Sequence, residues 1–174
     1  MEMALPMNVN VGATAAEALF ATHYRPLLRT AFLLVGERGE AEEVVQEAFA
    51  RLLASHRRVR DVDRAPGYLR AIVVNQCRGR LRKRGSSRRG APKLVAFPDP
   101  SSAADHVVAQ DDRAALASAL ARLPERQREC IVLRYYGSLS EAEIADAMGV
   151  SRGSVKTHAS RGLAALAEML EDRR

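Results

Sequence analysis

From Leu139 to Leu163 the sequence is built to make two short helices that cross at a tight turn. Ser140 with Glu143 three residues on is a capping box that starts the first helix. Ala145 is small where two helices must cross closely, and Gly149 four residues later supplies the positive φ of the turn. Ser151 caps the second helix, while Ile144, Met148, Val150 and Val155 fall where they wedge the pair together. The pattern is a helix-turn-helix. Its second helix leaves Arg152, Ser154, Lys156, Thr157, His158, Ser160 and Arg161 on or near the outer side. Such side chains read base edges and grip phosphates, so the expected ligand is duplex DNA. Arg152 carries the fork that reads a guanine, whereas Lys156 and Arg161 suit phosphate.

The rest of the chain carries a charge pattern of the same meaning. The 174 residues have a net charge of +6, but it is not spread evenly. Residues 56–93 hold 13 Lys and Arg against 2 acids, while residues 123–174 balance 8 against 8. A concentrated basic stretch suits a polyanion, although a solvated basic linker has the same composition. With 5% aromatic residues and no Trp, the core must be aliphatic, which suits helices packed on Ala, Leu and Val. Cys77 and Cys130 have no CxxC or Cys/His spacing and sit among apolar neighbours, so they read as buried thiols. No metal or cofactor site is expected. No apolar run approaches the ~18 residues of a membrane span, and no secretory leader is visible, so a cytoplasmic location is expected.

Periodicity places the remaining helices. Phe20, Tyr24, Leu27, Leu28, Ala31 and Leu34 recur at helical spacing over 15–35, with Pro26 expected to kink or restart the helix. Gly36-Glu-Arg-Gly reads as a turn. Over 40–55, Ala41, Val44, Val45, Ala48, Phe49, Leu52 and Leu53 form an apolar face opposite Glu42, Glu43, Gln46, Glu47 and Arg51. Residues 56–67 read as a basic loop ending at Pro66-Gly67. A helix follows over 68–84, burying Leu69, Ile72, Val73, Cys77 and Leu81, with Asn75, Arg78 and Arg82 along its exposed side. Further helices are expected near 110–122, 125–136, 140–148 and 152–171. The expectation is an all-α chain of two small helical domains, 14–84 and 110–174, with a flexible leader at 1–13 and a flexible linker at 85–109.

These segments resemble a known family in order and spacing. The run from Leu28 through Gly36-Glu-Arg-Gly-Glu-Ala-Glu-Glu-Val-Val-Gln-Glu-Ala-Phe49 resembles the second conserved region of bacterial sigma factors. Tyr68-Leu-Arg-Ala-Ile-Val-Val-Asn-Gln-Cys-Arg resembles its DNA-melting helix. Leu123-Pro-Glu-Arg-Gln-Arg-Glu-Cys-Ile-Val-Leu-Arg-Tyr-Tyr, followed by the helix-turn-helix, resembles the fourth region. The chain is similar to the extracytoplasmic-function (ECF) group, which keeps only those two domains, and most of all to its SigE-like actinobacterial branch.

The resemblance implies a sigma factor that binds core RNA polymerase and directs promoter recognition, melting and transcription initiation, without being an enzyme. It implies that Glu42, Glu43, Gln46 and Glu47 dock on the β′ clamp helices, with the polymerase β flap as a second contact. It implies that Tyr68, Asn75, Arg78, Arg82, Lys83 and Arg84 hold opened −10 DNA, with Arg80 along the backbone and Arg58, Arg60 and Asp61 near a flipped base. The recognition helix would read the −35 element. An anti-sigma factor is a possible partner; a small-molecule substrate and direct membrane insertion are not implied. The chain departs from the family where Tyr68 stands at a common Trp, Arg78 at a common Asp, and Pro26 inside a usually continuous helix. Two other readings fit parts of the sequence: a stand-alone helix-turn-helix regulator, and a protein that occupies polymerase without initiating.

Overall fold

The computed structural model describes residues 13–54, 64–85 and 107–171. Among them are seven α-helices and no strand: α1 (Ala13–Val35), α2 (Arg38–Ala54), α3 (Ala65–Gly85), α4 (Val107–Arg122), α5 (Glu125–Tyr135), α6 (Glu141–Met148) and α7 (Arg152–Glu171). The expected leader up to residue 12, the loop carrying Arg58, Arg60 and Asp61, and the linker from 86 to 106 lie outside the described residues. The chain divides into two compact units, Met1–Arg89 and Gly90–Arg174.

In the first unit, α1, α2 and α3 pack on one another around an aliphatic core. Leu34, Val44, Val45, Leu52, Leu69 and Ile72 are almost wholly withdrawn from water. Each such side chain contributes about 1.5–3 kcal/mol of transfer free energy. Pro26 does not restart α1, which runs unbroken through it. The proline lies on the exposed side, so the carbonyl it leaves without a donor, on exposed Thr22, faces water. Thr30 Oγ1 donates to the Pro26 carbonyl at 3.0 Å, and Leu27, Leu28 and Ala31 are buried just beyond it.

The turn after α1 is shorter than its four-residue signature. Glu37 Oε1 accepts from the Gly39 N–H at 2.9 Å and Oε2 from the Glu40 N–H at 2.6 Å. These bonds satisfy donors at a helix start, so α2 already begins at Arg38. They hold the Glu37 carboxyl below its ordinary range. Helix α3 begins before the expected Tyr68, at Ala65. Pro66 is compatible with a first helical turn because the N–H it lacks would have no intrahelical partner there. Leu53 is not part of the core: it is 57% exposed, while the rest of the α2 apolar stripe is buried.

The second unit is built around α7, which packs on α4, α5 and α6. Ile144, Met148, Val155, Ala159, Cys130, Ile131, Leu133 and Leu166 fill its interior. Val150, expected as a wedge, is half-buried and instead donates its backbone N–H to the Ala145 carbonyl at 3.0 Å. Gly162 lets α7 approach α5 closely: a Cβ there would lie 2.6 Å from Ile131 Cδ1 and 3.3 Å from Gln127 Cβ. Both cysteines are buried free thiols. Cys130 Sγ donates to the Val155 carbonyl at 3.4 Å, tying α5 to α7, and burial pushes this thiol up from its ordinary value.

Candidate functional site

The start of α7 is fixed from both ends of the turn before it. Ser140 Oγ accepts from the Glu143 N–H at 3.3 Å, and the Ser140 N–H donates to Glu143 Oε2 at 2.7 Å, closing the capping box of α6. Gly149 then takes φ 63° and ψ 39°, a left-handed conformation that costs other residues roughly 1–2 kcal/mol. Ser151 Oγ accepts from the Ser154 N–H at 3.1 Å, which caps α7. Each of these residues has a local reason to be what it is. Together they set the angle at which α7 leaves the turn.

The outer face of α7 carries Arg152, Lys156, Thr157, Ser160 and Arg161, all exposed. Ser154 and His158 are half-buried and less available than their sequence position implied. The Ser154 and Ser151 hydroxyls are 2.9 Å apart, so Ser154 belongs as much to the cap as to the surface. Thr157 Oγ1 donates to the Gly153 carbonyl at 3.0 Å, leaving its lone pairs and methyl outward. Glu141, at the first position of α6, reaches across to α7. Its Oε1 lies 3.4 Å from Arg152 Nε and 4.0 Å from Lys156 Nζ.

In the first unit, the acidic face of α2 is laced with cations. Arg38 Nε pairs with Glu42 at 2.7 Å, Arg51 with Glu47 at 2.5 Å, and Arg80 of α3 with Glu43 at 3.0 Å. Gln46 is exposed between them, and Leu53 follows one heptad later on the same side. Exposed pairs of this kind are worth about 0.2–1 kcal/mol each, so a partner can replace them at little cost. Beside α2, the Phe20 ring is 47% exposed and packs against Tyr24 and Phe49 at centroid distances of 4.5 and 5.1 Å.

The residues of α3 divide into two groups. Arg82 and Lys83 are exposed, Tyr68 and Arg78 half-buried. Asn75 is not on an open face: it is half-buried, and its Nδ2 is buried without a hydrogen-bond partner among the described residues. Arg84 turns inward. Its guanidinium donates to the Val35 carbonyl at the end of α1 and pairs with Glu40 at 2.5 Å. The family resemblance placed Arg84 with the DNA-facing cations, and its contact with a residue 49 positions away leaves no periodic trace in the sequence. Glu141 and Leu53 were missed for related reasons. One is brought to α7 by the turn, and the other continues an apolar stripe wider than the core it covers.

Among the described residues no His, Cys, Asp or Glu cluster could hold a metal ion, and no helix is long and apolar enough to cross a membrane. The sequence matches the family model of Sigma-70 region 2 over residues 19–87 and that of Sigma-70, region 4 over residues 113–166. The RNA polymerase sigma-E factor of Streptomyces coelicolor is 32% identical over 154 residues, covering 88% of this chain and 85% of that protein. The ECF RNA polymerase sigma factor SigL of Mycobacterium tuberculosis is 33% identical over 171 residues, covering 92% and 94%. The sigma factor RpoE of Bartonella quintana, crystallised with the anti-sigma factor NepR, shares the fold. Its TM-score is 0.63 at 21% identity, over 91% of this chain and 98% of that one.

Proposed function

This chain belongs to the extracytoplasmic-function group of RNA polymerase sigma factors and directs promoter recognition and transcription initiation, and we propose how its surfaces divide that work. The two helical units, with the stretch between them acting as a linker, serve the two promoter elements. Helix α7 enters the major groove of the −35 element, with Arg152 on a base edge and Lys156, Thr157, Ser160 and Arg161 on bases and phosphates. Ser154 and His158 contribute at the margin. One observation carries this reading: a capped helix with five polar or cationic side chains outward is held on its other side by Cys130 and Ile131 of α5.

Helix α3 receives opened −10 DNA. Tyr68 offers a stacking face, Arg78, Arg82 and Lys83 phosphate contacts, and Asn75 a base-edge hydrogen bond once its amide, buried and without a partner among the described residues, turns outward. Arg84 supports the fold instead. Glu42, Glu43, Gln46 and Glu47, extended by Leu53, form the ridge that docks on the polymerase β′ clamp helices. The second unit meets the β flap. Polymerase supplies the bond-forming chemistry, so the chain acts as a specificity subunit rather than an enzyme, in the cytoplasm where polymerase and promoter DNA meet. An anti-sigma factor is a further partner, as RpoE was crystallised with the anti-sigma factor NepR and the structure of CnrH is that of a complex with the cytosolic domain of CnrY.

Permanganate probing of thymines in a promoter bound by the reconstituted holoenzyme separates the two DNA roles. Arg152→Ala is expected to weaken promoter binding by about 1–3 kcal/mol at one upstream base pair. Asn75→Ala leaves upstream binding in place but lowers thymine reactivity at the −10 element. Equal reactivity in wild type and Asn75→Ala would remove Asn75 from the melting role.

A further inference from the structure

We infer that Glu141 is a positioning residue for base recognition, holding the Arg152 side chain by one edge so that its other edge is presented to a guanine. The inference rests on the reading of α7 as the duplex-reading helix. The Glu141 side chain is only 20% exposed, whereas those of Arg152 and Lys156 are 69% and 71% exposed. The carboxylate is thus the anchored partner, and the two cations lean on it.

The anchoring has a local cause. Glu141 is the first residue of α6, directly after the N-cap Ser140 and inside the Ser140–Glu143 capping box, where unpaired backbone N–H groups favour a negative charge. The left-handed turn at Gly149 then brings the first turn of α7 back beside it.

The atoms in contact decide what the pair can do. A guanidinium has one N–H on Nε and four on its terminal nitrogens. Guanine O6 and N7 accept two parallel N–H bonds from an arginine fork. Glu141 Oε1 faces Arg152 Nε, so the contact leaves the terminal nitrogens for the base. The pair can therefore persist in the complex, where it restricts a long side chain that would otherwise lose rotamer freedom on binding.

The same carboxylate works against indiscriminate binding. It lies 4.0 Å from Lys156 Nζ and subtracts a charge from the end of α7 that approaches the phosphates. Glu141 thus supports guanine reading and weakens contacts that carry no sequence information, which raises the ratio between them.

The test uses full-length protein assembled with core polymerase. Wild-type holoenzyme selects upstream motifs from a random duplex library. Affinities of wild type and of the near-isosteric Glu141→Gln variant are then measured on the selected duplex, on single-base variants and on a shuffled duplex. Glu141→Gln is expected to bind the shuffled duplex about threefold tighter, from loss of one nearby like charge. It should also lose about tenfold in preference at one guanine position, within the range of a single base contact. In an Arg152→Ala background the same substitution should leave every base preference unchanged. Thermal unfolding at the wild-type temperature excludes a folding defect as the cause.

An undiminished preference in Glu141→Gln would overturn the positioning role. So would an equal change at all positions, which reports charge alone. A wild-type holoenzyme that selects no upstream motif would instead bring down the reading of α7, and this inference with it.

Discussion

Replacing Arg84 by Met tests whether this cation serves the fold or the DNA. The side chain makes two contacts at the junction of the first two helices: a hydrogen bond to the Val35 carbonyl and an ion pair with Glu40. The carbonyl belongs to the last residue of α1, where unpaired C=O groups concentrate negative partial charge. A hydrogen bond from a charged donor is worth about 1.5–3 kcal/mol net. The ion pair is about one-third exposed on both sides, so solvent screening reduces it to about 0.5 kcal/mol. Met keeps most of the apolar stem and has nearly the helix propensity of Arg, so neither adds much. The expected loss is about 2 kcal/mol, read from guanidinium unfolding followed by helical circular dichroism. Lys83→Met, at the neighbouring exposed position, should stay within about 0.5 kcal/mol of wild type. Equal losses in the two variants would refute the assignment of Arg84 to the fold.

Glu37 gives the first unit a pH dependence with a definite sign. Its folded-state pKa is lowered by the Glu40 and Gly39 N–H bonds from an ordinary 4.5, so the stabilisation is fully present above that value. It is lost as pH falls through the lower folded value, and Glu37→Gln should flatten that acid limb in unfolding measurements near pH 6 and pH 3. Gly162→Ala should destabilise the second unit by about 1 kcal/mol, because the overlap of its Cβ with the Ile131 Cδ1 methyl outweighs the roughly 1 kcal/mol that Ala gains over Gly in a helix. In an Ile131→Val background that loss should largely vanish, and an additive double variant would contradict the close-approach argument. Glu43→Arg should weaken capture of core polymerase in a pull-down. Arg80→Ala, which breaks the same ion pair but leaves the carboxylate, should not; equal weakening would make the pair a structural contact.

What could be seen in the sequence was what depends on neighbours in the chain. Ser140, Glu143, Gly149 and Ser151 act within a few residues of themselves, so the helix-turn-helix was legible with its boundaries, and its outward side chains except Ser154 and His158 were too. The stripe Ala41–Val44–Val45–Ala48–Phe49–Leu52 was legible because burial on one face imposes a period. Leu53 fitted that period and is nevertheless exposed, because an apolar residue at the stripe's edge looks the same whether or not a helix covers it. The restart expected at Pro26 does not occur, because the proline sits on the exposed side of α1. Arg84 and Glu141 were hidden for another reason. A cation among cations and an acid in a first helical turn acquire their partners only when distant segments meet.

As a sigma factor, this chain gives core polymerase the ability to start at chosen promoters. That ability is read by run-off transcription with purified core polymerase on fragmented genomic DNA, with and without the full-length protein. New transcripts with discrete starts are expected, whose upstream sequences align on two shared elements, one lost when Arg152 is replaced. Core binding without new transcripts, or palindrome-specific DNA binding without any affinity for core, would contradict it.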